Sequence, residues 1–231
     1  MLKRVSKLII GIALIPVCVG ASIAFYELIC AVRPQSSAHV VFLAGIVCYA
    51  VLYLASFKMN FLYVLGHEAV HAIFALLCGG TVKSFNVSTK GGSVGTTKTN
   101  VLISLGPYFF PFYTIILCAG FMAAAFFRPE IIRYANVFMF LLGFSISFHF
   151  LMTVNSLRTE QPDLAENGHL FSITLLYLIN LIILAVLLSV VFKGTDIAGF
   201  FYKAAEYSRG IFSAIWQALA RGGSWLMAHS W

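Results

Sequence analysis

The chain has 231 residues, of which 61% are hydrophobic and 10% charged, with a formal net charge of +7. A water-soluble domain of this length has no use for so much apolar surface, so the composition excludes one and points to an integral membrane protein. The cations are spread over loops and ends, with no basic stripe of interleaved aromatics. That argues against nucleic acid and fits cations flanking membrane spans beside anionic lipid.

Apolar runs at 8–32, 39–57, 61–78, 101–127, 131–154 and 169–192 each approach or exceed the roughly 20 residues that cross a bilayer as a helix. Backbone in lipid must satisfy its own hydrogen bonds, and the alternation of a β-barrel is absent. The expectation is an all-α membrane protein of about six transmembrane helices. The first run, preceded by Lys3, Arg4 and Lys7 and containing Ala21-Ser-Ile-Ala24, looks somewhat like a signal peptide, but its length favours a retained span. Glu27 near its end reads as interfacial or paired.

The third run contains His67-Glu68-Ala69-Val70-His71 and stops at Gly79-Gly80. The Thr- and Val-rich stretch 81–100, with Gly91-Gly92 at its centre, reads as a β-hairpin whose free edge could pair with an extended substrate, or equally as a polar loop folded on itself. The next run opens with Leu105-Gly106-Pro107 and contains Pro111, which break or kink its helix near the start. Such breaks are tolerated at membrane depth where they line a cavity.

Residues 196–220 place Ile197, Phe200, Phe201, Ala204, Ile211, Ile215 and Leu219 at helical spacing, with Lys203, Glu206, Arg209, Gln217 and Arg221 on the other face. That predicts an amphipathic helix lying in the interface, anchored by Trp216, Trp225 and Trp231. The expected division is therefore a transmembrane domain over 1–195 and an interfacial segment over 196–231. Cys18, Cys30, Cys48, Cys78 and Cys118 all lie in apolar segments with no CxxC spacing, and read as small buried hydrophobes.

Two histidines four apart share one helix face, about 6 Å along the axis. That spacing seats two imidazoles on one Zn²⁺, with the glutamate between them beside the metal as a base. An ionisable cluster at membrane depth is itself a functional signal. A catalytic zinc takes three protein ligands and a water. Asp163, His149, His169, Glu160 and Glu166 are candidates for the third, and their chemistry does not rank them. His149 reads first as a hydrogen-bonded structural histidine and second as support for a ligand. His39 and His229 read as interfacial.

Over roughly residues 61–170 the chain resembles the site-2 protease family of intramembrane zinc metalloproteases, in particular its small, divergent bacterial branch. The resemblance is carried by Gly66-His67-Glu68-Ala69-Val70-His71 in an apolar helix, the hairpin-like stretch, Gly106-Pro107, and Asn155 followed eight residues later by Asp163. The family's late motif reads Asn-x-x-Pro-x-x-x-Leu-Asp-Gly. Here Arg158 stands in place of its Pro, Pro162 in place of its Leu and Leu164 in place of its Gly, and no PDZ-like domain is inserted.

The resemblance implies zinc on His67, His71 and Asp163, Glu68 as general base, and Asn155, with Gly106 and Pro107, in substrate binding. It implies hydrolysis of peptide bonds in or near transmembrane segments of membrane-anchored proteins or peptides, in a bacterial cytoplasmic membrane. The departures around Asp163 keep open a second expectation, a non-proteolytic membrane subunit or chaperone that retains the fold. A transporter or channel is disfavoured by the absence of repeats. The basic ends favour both termini in the cytoplasm, whereas the resemblance and Lys83, Lys90 and Lys98 favour the hairpin on that side.

Overall fold

The computed structural model describes residues 2–159 and 161–228, with side chains from residue 4 to residue 222 apart from 160. Glu160, His229, Trp231 and the Trp225 side chain lie outside the described residues. In chain order the elements are α1 (Leu2–Ala31), α2 (Ser37–Leu54), α3 (Asn60–Leu77), β1 (Val82–Ser88), β2 (Gly91–Thr96), α4 (Val101–Leu105), α5 (Phe112–Phe127), α6 (Ala135–Leu157), α7 (Pro162–Asn167), α8 (His169–Val191) and α9 (Ile197–Ala228). Short 3₁₀ turns at Gly106–Tyr108 and Pro129–Tyr134 precede α5 and α6. Five helices are long and apolar enough to cross a membrane, or six if the bent pair Val101–Tyr108 and Phe112–Phe127 forms one span. This matches an all-α membrane protein carrying a small two-stranded sheet.

The contacts divide the chain into two compact units, one of residues 1–33 and 167–231, the other of 34–166. In the first, α9 packs along α1. Phe25 meets Phe200 edge to face at 6.5 Å. Glu27 accepts a hydrogen bond from Tyr207 and pairs with Lys203 at 2.5 Å. The polar face of the amphipathic helix thus supplies a partner for the acid of α1, so that Glu27 is paired.

In the second unit, α2 and α6 approach so closely that a Cβ on Gly45 would meet the Phe140 carbonyl and one on Gly143 the Phe42 carbonyl. Small residues that bring backbones together are the usual means of packing helices in lipid, where no hydrophobic force drives association. Ser147 donates across the contact to the Ile46 carbonyl at 3.1 Å.

The hairpin forms, but Gly91-Gly92 is not its turn. Ser88 pairs with Gly91 and Val87 with Gly92, leaving Thr89-Lys90 as the two-residue loop. Gly92 stands where the strand presses on α3: a Cβ there would lie 2.6 Å from Glu68 Cγ and 2.8 Å from Val64, whereas Gly91 has open space around it and a positive φ of 155°. Following the hairpin, Asn100 caps α4 by accepting from the Ile103 amide at 2.9 Å. The chain then bends by 78° before α5. Pro107 and Pro111 lack the amide protons that would continue a single helix.

Candidate metal centre

The site is built from α3, the bend after α4, and α7. On α3, His67 and His71 bring their Nε2 atoms to 3.2 Å from each other. Asp163, in the first turn of α7, places Oδ2 3.8 Å from His67 Nε2 and 3.5 Å from His71 Nε2. Ligand atoms about 2.0–2.1 Å from a tetrahedral zinc stand about 3.3 Å apart. The three observed separations bracket that edge, so the donor set fits a small tetrahedral divalent cation with one position left for water. Among the described residues, these three form the group whose ligand atoms converge in this way.

The supporting contacts agree. His71 Nδ1 lies 2.8 Å from the Ile103 carbonyl. A carbonyl can only accept, so a proton sits on Nδ1, which in the neutral ring is the tautomer that lets Nε2 offer a lone pair to a cation. Tyr108, next after Gly106-Pro107, donates to Asp163 Oδ2 at 3.0 Å and stacks edge-on against the His67 ring at 4.9 Å. Its hydroxyl is also 3.2 Å from Gln161 Oε1. Burial alone would push the pKa of the Asp163 carboxyl up; the adjacent imidazoles and the Tyr108 hydroxyl outweigh it and hold the group well below the usual carboxylate range.

Glu68 is buried at 7% exposure. It lines a cavity of about 300 Å³ together with His67, His71, Asp163 and residues 92–94 of β2. A second cavity of about 300 Å³ shares His67, Glu68, Gly92 and Gln161 with the first and is bordered by Lys90 and Asn155. One polar face of each cavity thus meets the next at Glu68, with β2 alongside.

The other expected residues fall as follows. Asn155 borders the second cavity, and its Oδ1 accepts from Tyr53 at 3.2 Å and Lys58 at 3.0 Å. Pro107 lines a small chamber behind His67. Gly106 is buried against the Phe74 ring, which leaves no space for a Cβ; its role there is close packing of the bend on α3. Of the candidate third ligands, Glu166 lines the first cavity but accepts from Ser104 at 3.3 Å. His149 lines the chamber behind His67, outside the converging group. Tyr108 and the Ile103 carbonyl escaped the sequence reading; adjacency to the Gly106-Pro107 break was the one available signal for Tyr108. No protein-family model, curated protein or solved structure matches the chain.

Proposed function

We propose that this chain is an intramembrane zinc peptidase that hydrolyses peptide bonds in or near membrane-spanning segments of anchored substrates, in a bacterial cytoplasmic membrane. The observation that carries the reading is the convergence of His67 Nε2, His71 Nε2 and Asp163 Oδ2, within 3.2–3.8 Å of one another, on a cavity lined by Glu68. Zinc bound there would supply Lewis-acid activation of a water and of the peptide carbonyl.

The chain's own residues supply the rest. Glu68 takes a proton from the attacking water on its carboxylate and returns it to the leaving amine nitrogen, so the carboxylate base is regenerated each turnover. The Ile103 carbonyl fixes the tautomer of His71, and Tyr108 orients Asp163. Gly92, Ser93 and Val94 border the cavity, so the backbone of β2 is placed to hold an unwound substrate extended, with Asn155 contacting it in the adjoining cavity.

The test is a quantitative comparison of membrane-protein fragments in cells carrying the wild-type chain or Glu68→Gln. The expected outcome is that substrates stay intact in the variant, with cleavage down about 10²- to 10⁴-fold and zinc content unchanged. Equal fragment levels would remove Glu68 and the peptidase reading with it. One observation favours a second reading, a membrane subunit or chaperone that binds without cutting: β2 lies directly on the Glu68 side chain. In that case partners are retained on the chain, no fragments form, and Glu68→Gln changes nothing.

A further inference from the structure

The two histidines of the proposed metal centre are braced differently. Nδ1 of His71 has the Ile103 carbonyl at 2.8 Å. Nδ1 of His67 is buried, and no described residue offers it a hydrogen bond. A ligating imidazole nearly always donates its far N–H to an acceptor, which fixes both tautomer and ring orientation. His67 lines the two larger cavities and also a small chamber it shares with His149 and Ser145, and the small chamber can hold such an acceptor.

That chamber has a volume of about 20 Å³. One water needs about 10–15 Å³ measured in this way, so there is space for one molecule. Its walls include Tyr63, Pro107, Phe110 and Phe148, with His149 and Ser145 contributed by α6. Ser145 Oγ donates to the Leu142 carbonyl at 3.1 Å and lies 3.0 Å from Thr114 Oγ1, so toward the chamber it can serve as an acceptor.

We propose, on the reading that His67 is a metal ligand, that His149 is a positioning residue for it, acting through one water held in this chamber. The water accepts from Nδ1–H of His67 and donates to the His149 imidazole and to Ser145 Oγ. Three partners are what a buried water ordinarily makes. The effect is to keep the proton of His67 on Nδ1 and its Nε2 lone pair turned toward His71 and Asp163. In this arrangement α6, which carries no ligand, sets the orientation of a ligand on α3.

The experiment measures zinc affinity of the purified full-length chain by chelator competition, alongside thermal unfolding of the metal-free protein. His149→Phe keeps an aromatic ring and removes the nitrogens; affinity should fall about 10- to 100-fold, the usual cost of losing such a partner. His149→Gln, which retains polar atoms, should recover most of that loss, and the metal-free unfolding midpoint should be the same in both. Ser145→Ala removes a second contact to the water, and its affinity should fall several-fold, less than for His149→Phe; it decides the matter if His149→Phe does not fold.

Wild-type affinity in His149→Phe, or in Ser145→Ala where that variant decides, overturns the proposal. So does an equal loss in Phe and Gln variants that tracks a fall in unfolding midpoint, because that marks a packing role alone. Failure of the underlying metal reading looks different: the wild type takes up no zinc, or His67→Ala binds it as tightly as the wild type.

Discussion

Two polar clusters sit among the apolar helices of this chain, and they are built in opposite ways. In the first unit, Glu27 is met by Lys203 and Tyr207, and the Lys203 and Glu27 side chains are 49% and 33% exposed. Acid and base close on each other, and the hydrogen bond and ion pair hold the Lys203 ammonium above its ordinary range. In the second unit, the His67, His71 and Asp163 side chains are 11%, 13% and 26% exposed. There two imidazole nitrogens and a carboxylate oxygen turn toward one another, within 3.2–3.8 Å. A cluster that closes on itself is accounted for by structure. One whose donor atoms converge on a common point has the geometry to hold a cation, and under the proposed function that is the difference between charge tolerated in an apolar protein and charge placed for chemistry.

The contrast can be broken at several points. The largest effect is expected from Glu68→Gln, which should abolish turnover in a fragment assay while leaving zinc content intact; zinc loss in that variant would make Glu68 a ligand and not a base. Next comes Asp163→Ala. Removing a ligand should cost more than removing an outer partner, so zinc affinity should fall by more than about 100-fold in a chelator titration. Tyr108→Phe deletes the hydrogen bond to Asp163 Oδ2 and should lower affinity by about tenfold, at the low end of the range for outer contacts. Gly92→Val places a side chain where Glu68 and Val64 already stand; it should lift β2 from α3, detectable as faster amide exchange along 91–96, with zinc content preserved. Smallest is Lys203→Met: limited proteolysis should cut α9 more readily, while zinc affinity and cleavage stay at wild-type levels. Loss of zinc on that substitution would erase the distinction between the clusters.

Some of this was legible in the chain because it depends on local spacing. The four-residue interval of His67 and His71 puts both imidazoles on one face of any helix. Pro107 and Pro111 announce a break wherever they fall, and the structure renders it as a 78° bend. Asp163 came from the resemblance of its interval after Asn155, since chemistry alone left five candidates. Tyr108 and the Ile103 carbonyl were illegible because their roles follow from how far the bend turns α4 back onto α3, a tertiary quantity. The position of the hairpin's turn was not legible for a related reason. Gly91-Gly92 looks like loop chemistry, but Gly92 is required by the approach of β2 to Glu68, and Gly91 carries a positive φ of 155°. The interfacial reading of residues 196–220 left out the packing of α9 on α1 because amphipathicity gives the width of an apolar face and not its partner.

The most direct measurement is the zinc content per chain, by elemental analysis, of the wild-type protein and of His67→Ala/His71→Ala purified side by side without added metal. The expected result is close to one zinc per wild-type chain and a background amount in the double variant, with both proteins folded by circular dichroism. A wild-type chain that carries no zinc even after incubation with the ion, or a double variant that retains a full complement, would contradict it.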